Sequence, residues 1–487
     1  MTDRVVVHPS DANFVFVEAP PHVFREIQDT FTVYAPGYKF SPLFKQGFWD
    51  GKIRYLQSDG RIYKGLMKRV EDFCLESGYE YHSLVPKPDE TFTVADARAF
   101  AEKLNLPFKP DDFQVEAVSH AVEEQRSLLV SPTASGKSLI AYMIARHYDA
   151  NTLIVVPTVS LVSQMAKDIR SYGYSDGIHE IRAGQSKDSV DKITIATWQS
   201  VYKMDESWYT RIAAVIGDEA HLFKAKSLVK VMGNLPHCDL RFGLTGSLDG
   251  TETGQLLVEG LFGPVFTVAK TMDLVESGRI SEFTIDAVRL TYSDSVRKYF
   301  TKQKDKPKKT YAEEMKFFSQ YETRNKFLRQ LSLSLGGATL LLFHTIEHGK
   351  KLYEDIRKHT DRPVFLVHGA VEAEDREKVR ESVARGDEPI AIASFGTFST
   401  GIDMPNLRNL ILGAGVGKSR VRVLQSIGRT IRKHHGKTVA RIIDVGDDAG
   451  LKGGMNHSLS HFNQRLSLYA REGFRYRIHD VKIGEPT

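Results

Sequence analysis

Short apolar runs bounded by turn-forming residues recur through the middle of the chain, at Leu128 to Val130, Leu153 to Val156, Ile193 to Ala196, Ala213 to Ile216 and Phe242 to Leu244. Each has the length and composition of a buried strand. Between them lie amphipathic stretches of helical length. In Ser138 to His147, for example, Leu139, Ile140, Met143 and Ile144 fall on one helical face. This alternation predicts a parallel sheet covered by helices. The pattern then starts again, at Ala338 to Phe343, Val364 to Val367, Ile390 to Ala393, Leu410 to Leu412 and Arg441 to Val445, with helical segments such as Ala373 to Ala384 between. Two α/β lobes follow.

The flanking segments read differently. Residues 1–90 are aromatic, punctuated by proline and short-stranded, and they end in the breaker cluster Val85-Pro86-Lys87-Pro88-Asp89. They are expected to form a small α+β N-terminal domain. The first lobe then spans 91–265 and the second 336–450. Between the lobes, 266–335 reads as a linker or as an insertion in the second lobe, and 451–487 as a C-terminal basic tail. A chain of 487 residues is long enough for several such units.

Composition changes this picture little. With 41% hydrophobic and 26% charged residues, and no apolar run near the roughly 18 residues a membrane helix needs, the chain reads as soluble, cytoplasmic and unprocessed. Cys74 and Cys238 lack any paired spacing for zinc or redox chemistry. The net charge of +5 permits a polyanionic partner without requiring one. Basic residues also cluster, seven of them against one Asp from Arg297 to Lys309, and Arg465, Arg471, Arg475, Arg477 and Lys482 near the end. Such runs are ordinarily solvated faces.

The chemistry is more specific. Leu128 to Val130 leads into Ser131-Pro132-Thr133-Ala134-Ser135-Gly136-Lys137-Ser138 and then a helix, the strand, loop and helix of a phosphate-binding loop. Thr133, Ala134, Ser135 and Gly136 would offer backbone N–H groups to the phosphates of ATP. Lys137 would reach the β and γ phosphates, and the Ser138 hydroxyl would hold Mg²⁺. Ser131 stands where the pattern usually has its first Gly. The same Gly-Lys-Ser/Thr triplet recurs at Gly417-Lys418-Ser419 and Gly436-Lys437-Thr438, neither in a strand, loop and helix. The strand Ala213 to Ile216 ends in Asp218-Glu219-Ala220-His221, which puts two acids at a strand's carboxyl end. Asp218 can coordinate Mg²⁺ and Glu219 can polarise the attacking water.

In the order of these motifs, residues 109 to 433 resemble the superfamily 2 helicases. The resemblance implies two tandem RecA-like P-loop lobes. Phe113-Gln114 is similar to the family's Q motif, whose glutamine reads adenine. Val156-Pro157-Thr158 and Thr197-Trp198-Gln199 resemble segments laid along the nucleic-acid backbone, which marks Pro157, Thr158, Thr197 and Trp198 as contacts. Leu244-Thr245-Gly246-Ser247 resembles the coupling motif, with Gly246 where many members have Ala. In the second lobe, Phe343 closes the strand where motif IV belongs, which implies a nucleic-acid contact there. Ser394-Phe395-Gly396-Thr397 leads into Thr400-Gly401-Ile402-Asp403-Met404-Pro405, similar to motif V, which implies nucleic-acid contacts at Ser394, Gly396 and Thr397 and nucleotide contacts at Gly401 and Asp403. Gln425-Ser426-Ile427-Gly428-Arg429-Thr430-Ile431-Arg432 fits the pattern Q-x-x-G-R-x-x-R, with Gln425 catalytic. Three residues apart, Arg429 and Arg432 are expected on one helical face, as arginine fingers for the γ-phosphate.

A narrower resemblance lies outside the motor. Gly37-Tyr38-Lys39-Phe40-Ser41-Pro42, followed by Gly47-Phe48-Trp49-Asp50-Gly51-Lys52-Ile53-Arg54, is similar to the N-terminal domain of UvsW-type phage recombination helicases, as is Asp444-Val445-Gly446-Asp447-Asp448-Ala449-Gly450 to their later segment. That implies an ATP-dependent enzyme on branched or forked DNA, with 3′ to 5′ polarity, in the host cytoplasm, with recombination or single-strand-binding proteins as candidate partners. In this domain Lys45, Lys52 and Arg54 are expected to face a phosphate backbone while the interleaved aromatics pack inward. A duplex translocase that does not separate strands, and an RNA helicase, are the alternatives. His344-Thr345-Ile346-Glu347-His348 satisfies the letters of a metallopeptidase pattern, but it directly follows an apolar strand and has no third ligand, so polar residues at a strand end account for it.

Overall fold

The computed structural model describes residues 3–86, 91–181, 191–248, 250–300, 309–369, 378–379, 381–382, 385–396, 404, 406–413, 419–433, 437, 439–450 and 454–484. The chain divides into two compact units, one built mainly from residues 1–269 and the other mainly from 270–487.

The first unit opens with β1 (Arg4–Pro9), β2 (Phe14–Glu18), β3 (Thr32–Tyr34), β4 (Lys52–Arg54), β5 (Arg61–Tyr63) and β6 (Glu80–Ser83). Four of them form a mixed sheet in the order β5-β2-β1-β6, while β3 and β4 pair as a separate antiparallel ribbon. Val5, Val7, Val15 and Val17 alternate inward and meet Val23, Ile27, Val70 and Cys74 from the helices Pro21–Thr30 and Met67–Ser77. A parallel sheet follows, made of β7 (Arg126–Val130), β8 (Thr152–Val156), β9 (Ile178–Ile181), β10 (Ile193–Thr197), β11 (Ala214–Asp218), β12 (Leu240–Thr245) and β13 (Val265–Thr267). Its order is β13-β7-β12-β11-β8-β10-β9. The central strands are buried along nearly their whole length because helices cover both faces.

The small domain is packed onto this sheet through the helix Glu252–Phe262. Leu256 from that helix joins the small domain's core. Arg69 grips the buried Glu259 with two parallel hydrogen bonds, of 2.7 and 2.8 Å. The Tyr55 hydroxyl donates to the Thr253 carbonyl at 2.7 Å, and the Ala12 N–H to the Pro236 carbonyl at 2.9 Å. Gly65 lies so close to the Glu259 and Gly260 carbonyls that a Cβ would not fit.

The second unit is another parallel sheet, of β14 (Glu282–Thr291), β15 (Thr339–Phe343), β16 (Val364–Val367), β17 (Ile390–Ser394), β18 (Asn409–Leu412), β19 (Val439–Asp448) and β20 (Tyr476–Lys482), in the order β16-β17-β15-β18-β19-β14-β20. The described residues therefore form two seven-stranded parallel sheets, two RecA-like lobes beside a small N-terminal domain. Two sequence expectations are corrected here. Residues 266–335 supply β14, which pairs with β19 over ten residues, so the segment completes the sheet. Residues 451–487 supply the helix His457–Arg471 and β20, so Arg465 is no tail residue. The reason is buried charge. Asp444 accepts from Arg465 and from the Tyr469 hydroxyl, and Asp447 accepts from Arg324 and from the Tyr292 hydroxyl at 2.6 Å. Glu314, itself buried, accepts from the N–H groups of His457 and Ser458, at the largely buried start of the helix His457–Arg471. Breaking one such pair strands its partner in the interior, at about 3–5 kcal/mol.

The His-x-x-Glu-His segment begins just after β15 and runs into a helix. His348 is buried on the helix Ile346–Arg357, with Nε2 3.0 Å from Asn325 Oδ1. Among the described residues no group of three or more His, Cys, Asp or Glu side chains is placed to hold a metal ion. Burial, with Arg324 and Lys351 nearby, pushes His348 from 6.5 down to about 3. Because the folded value is depressed, the unfolded chain takes up a proton that the folded lobe refuses. This contribution is intact above about pH 6.5 and is lost as pH falls towards 3, at up to about 1.4 kcal/mol per unit. The urea midpoint of the second lobe is expected to fall between pH 6.5 and 5, and His348→Gln to flatten that slope. An unchanged slope in the variant would assign it to another group.

Candidate functional site

Three loops meet at the carboxyl ends of adjacent strands in the first lobe. β12 lies between β7 and β11, and the parallel registers pair Thr245 with Val130 and Leu244 with Asp218. The phosphate loop, Thr245 and the acidic pair therefore leave the sheet at one level. The Ser131 N–H donates to the Thr245 carbonyl at 2.8 Å, which ties the first residue of the loop to the coupling segment.

The loop's conformation follows from its residues. Gly136 has φ +78° and immediately precedes the helix Lys137–Tyr148, and a Cβ there would collide with the Gln114 amide. Ala134 at φ +69° and Glu219 at φ +52° hold left-handed backbone without being glycine, which costs on the order of 1–2 kcal/mol each and is typical of functional turns. Lys137 Nζ donates to the Ser131 carbonyl at 3.1 Å, and Ser135 Oγ to the Pro132 carbonyl at 2.7 Å. Gln114 is buried, its Oε1 accepting from the Asp111 N–H at 2.9 Å. Ser138 Oγ lies 2.8 Å from the Tyr172 hydroxyl, a partner 34 residues away that no local pattern marks.

Asp218 ends β11, and burial, then the neighbouring Glu219 carboxylate, push it up to about 7 against the pull of Lys137. Two carboxylates with that mutual penalty suit a divalent cation, whose charge would relieve it. Ser138 suits the same cation, since its hydroxyl can donate to Tyr172 while a lone pair faces the metal. The residues present thus fit Mg²⁺. His221 Nδ1 lies 2.9 Å from Thr245 Oγ1 and 3.3 Å from Glu219 Oε2. Thr245 Oγ1 donates in turn to the Ser247 carbonyl at 3.0 Å, so the acidic box and the coupling segment share one polar chain.

The second lobe holds Gln425 and Arg429 on the helix Arg420–Thr430. Arg432 is corrected: the helix stops at Thr430, and Arg432 lies beyond it, bridged to Ile280 across an antiparallel contact. The two arginines therefore do not share one helical face. Lys437 holds this end of the helix. Its buried ammonium donates to the carbonyls of Thr430 and Arg432, and burial lowers it to about 8. Gly401, Asp403 and Thr397 lie outside the described residues.

The nucleic-acid candidates divide. Pro157 and Thr158 are partly exposed, with Thr158 capping the helix Val159–Ser171. Ser394 is partly exposed and Gly396 fully so. Thr197 is buried with its hydroxyl 3.0 Å from Ser200 Oγ, and Trp198 packs partly against the core. Phe343 is corrected, because it is wholly buried against Gly349 as the last core residue of β15. In the small domain Lys45 and Arg54 are exposed and Lys52 partly so. Arg54 pairs with Asp50, and Lys52 lies over the Tyr34 ring. The expectation that the aromatics there pack inward is also corrected, since residues 38–45 form two helical turns and Phe40 and Phe48 are each 81% exposed.

Comparison with known proteins places this arrangement. Residues 4–83 match the family "DNA helicase UvsW, N-terminal", 107–249 "Type III restriction enzyme, res subunit" and 323–434 "Helicase conserved C-terminal domain". The chain is 34% identical to the ATP-dependent DNA helicase uvsW of Enterobacteria phage T4, over 98% of this chain and 100% of that protein. The chain belongs to the UvsW family of ATP-dependent DNA helicases. The crystal structure of T4 UvsW superposes with a TM-score of 0.51 at 32% identity, covering 98% of this chain and 99% of that one. A more distant relative is the DNA 3′-5′ translocase XPB2 of Sulfurisphaera tokodaii, 23% identical over 66% of this chain and 78% of that protein.

UvsW membership implies nucleotide use, and the glycine of the phosphate loop can be tested. Gly136→Ala is expected to weaken nucleotide binding at least tenfold in a fluorescent-nucleotide titration, because the residue must leave its left-handed backbone or displace Gln114. Unchanged affinity with an unchanged melting curve would show that the loop does not depend on that conformation.

Proposed function

We propose that the chain is an ATP-driven motor on branched DNA, regressing forks, migrating branches and unwinding D-loops or R-loops in phage recombination, repair and replication, in the host cytoplasm. The observation that carries the ATPase part is the common level at which three adjacent strands end, β7 before the loop that leads to Lys137, β12 at Thr245 and β11 at Asp218. Support for the branched substrate is the small domain, which matches the UvsW N-terminal family and is packed onto the first lobe. No helix among the described residues is long and apolar enough to cross a membrane.

In this reading the backbone of Thr133, Ala134, Ser135 and Gly136 cradles the phosphates, Lys137 neutralises them, and Gln114 reads the adenine edge. Ser138 and Asp218 would hold Mg²⁺, which would supply charge neutralisation at the phosphates. Glu219 accepts the proton of the attacking water, and His221 and Thr245 carry the state of that carboxylate to the coupling segment. Gln425, Arg429 and Arg432 are the catalytic residues of the second lobe, the arginines as fingers for the γ-phosphate. Gly401 and Asp403 join them on the nucleotide, and Pro157, Thr158, Ser394, Gly396 and Thr397 track the strand. A second reading, a duplex translocase without strand separation, draws on the likeness to the 3′-5′ translocase. Strand displacement on a forked duplex separates the two, and ATPase stimulation by fork, single strand and RNA sets the substrate class.

Lys137→Ala is expected to abolish ATP hydrolysis and to leave DNA binding largely intact, as measured by phosphate release beside an anisotropy titration. Glu219→Gln retains ATP but stalls before hydrolysis, so it accumulates as an ATP-bound, DNA-bound species on a filter or gel. Arg429→Ala is expected to lower the turnover number by on the order of 10³-fold with little change in ATP affinity, because a finger acts on charge that develops in the transition state. A rise in the Michaelis constant alone would make Arg429 a binding group.

A further inference from the structure

The ribbon of β3 and β4 carries a preformed tip, residues 35–51. The Ala35 N–H donates to the Gly51 carbonyl at 2.8 Å, the Phe48 N–H to the Leu43 carbonyl at 2.9 Å, and Trp49 Nε1 to the Lys52 carbonyl at 3.0 Å. Inside it, Tyr38 stacks on Tyr34 with ring centroids 4.6 Å apart and meets the Phe44 edge at 4.8 Å. Gly51 leaves room for the Tyr38 ring, with which a Cβ would collide. This inner set supports the tip without help from Phe40, Leu43 and Phe48, which project outward at 81%, 55% and 81% exposure. Exposing two phenylalanines and a leucine on one short, ordered segment is costly and marks a contact surface. Its charge is one-sided. Lys39, Lys45, Lys52 and Arg54 flank the apolar residues along the chain, and the one acid in the segment, Asp50, is taken up by Arg54. Apolar rings framed by uncompensated lysines suit unstacked bases beside phosphates better than a protein surface.

We infer that the outward face of residues 40–48 is a base-stacking wedge, in which Phe40 and Phe48 lie against the terminal base pair at a DNA branch while Lys39 and Lys45 hold the flanking phosphates. The inference rests on the branched-DNA reading and names the part of the chain that recognises the branch. Aromatic wedges of this kind exploit the π-face that every base offers, so recognition is of structure and not of sequence.

The experiment uses the full chain, with forked and unbranched DNA carrying 2-aminopurine at the junction or at a matched internal position. Wild-type protein is expected to change the fluorescence at the fork junction and not at the internal position. Phe40→Ala with Phe48→Ala should remove that change and lower affinity for the fork by about tenfold or more, as stacking losses of one to two bases imply, with single-strand affinity and single-strand-stimulated ATPase retained. Tryptophan at both positions should restore the signal. Lys39→Gln with Lys45→Gln should weaken fork binding and flatten its salt dependence while keeping the fluorescence change at saturation. If the alanine pair binds and reports the fork as wild type does, the wedge is overturned and the patch serves a protein or a second copy. In that result fork-stimulated ATPase would persist, and the motor reading would stand. Loss of all DNA stimulation in the wild-type chain would instead overturn the branched-DNA reading itself.

Discussion

The parallel register of β7, β12 and β11 is the constraint on which the first lobe's chemistry depends. A shift of one residue in either pairing would turn each strand's side chains to the opposite face and separate in height Thr245, Asp218 and the end of β7 from which the loop to Lys137 departs. Those strands are buried on both faces, which makes slippage costly. The rigid sheet edge then supports a strained rim, with left-handed Ala134 and Glu219 and a carboxylate pair that burial makes unfavourable. Strain and charge repulsion of this order persist only where the surroundings hold them.

The second lobe meets a different demand. Its sheet is finished by strands that come from before and after the expected lobe, so two chain segments distant in sequence must be fixed side by side. Apolar pairing of β14 with β19 does part of this. The buried carboxylates Asp444, Asp447 and Glu314 do the rest, since each needs a partner on a particular incoming segment and tolerates no other arrangement. Lys437 extends the same device to the arginine helix, where a buried ammonium satisfies carbonyls that the end of the helix leaves open.

The small domain shares an apolar seam with the first lobe, and within it the two ends of the Arg69–Glu259 pair come from different domains. Glu259 sits on the helix that directly follows the coupling segment 244–247, so the domain is anchored next to the part of the lobe whose polar chain reaches Glu219. Excising residues 1–90 would leave Glu259 without its partner and expose Leu256, which makes point substitutions on the ribbon tip the cleaner probe of this domain.

The sequence by itself determined the two-lobed α/β architecture and the strand, loop and helix around Lys137, because both are local. A strand followed by Thr133 to Ser138 and a helix, or a strand ending in Asp218-Glu219, carries its geometry within about ten residues. The pattern also located Arg429. What only the tertiary structure decided was long-range. The apolar residues Ile285, Ala287, Val288 and Leu290 of β14 are present in the chain, yet nothing local says that this strand lies between β19 and β20. Arg465 reads as a tail cation until Asp444 is found opposite it, and Tyr172 has no mark of its own until it meets Ser138. Arg432 was misplaced because a spacing of three implies a shared face only while the helix continues, and this one ends at Thr430. Phe343 and Phe48 are the same residue type, one wholly buried and the other 81% exposed. Composition cannot tell them apart, because burial is a property of what packs against a side chain, and the packing partners arrive from elsewhere in the fold.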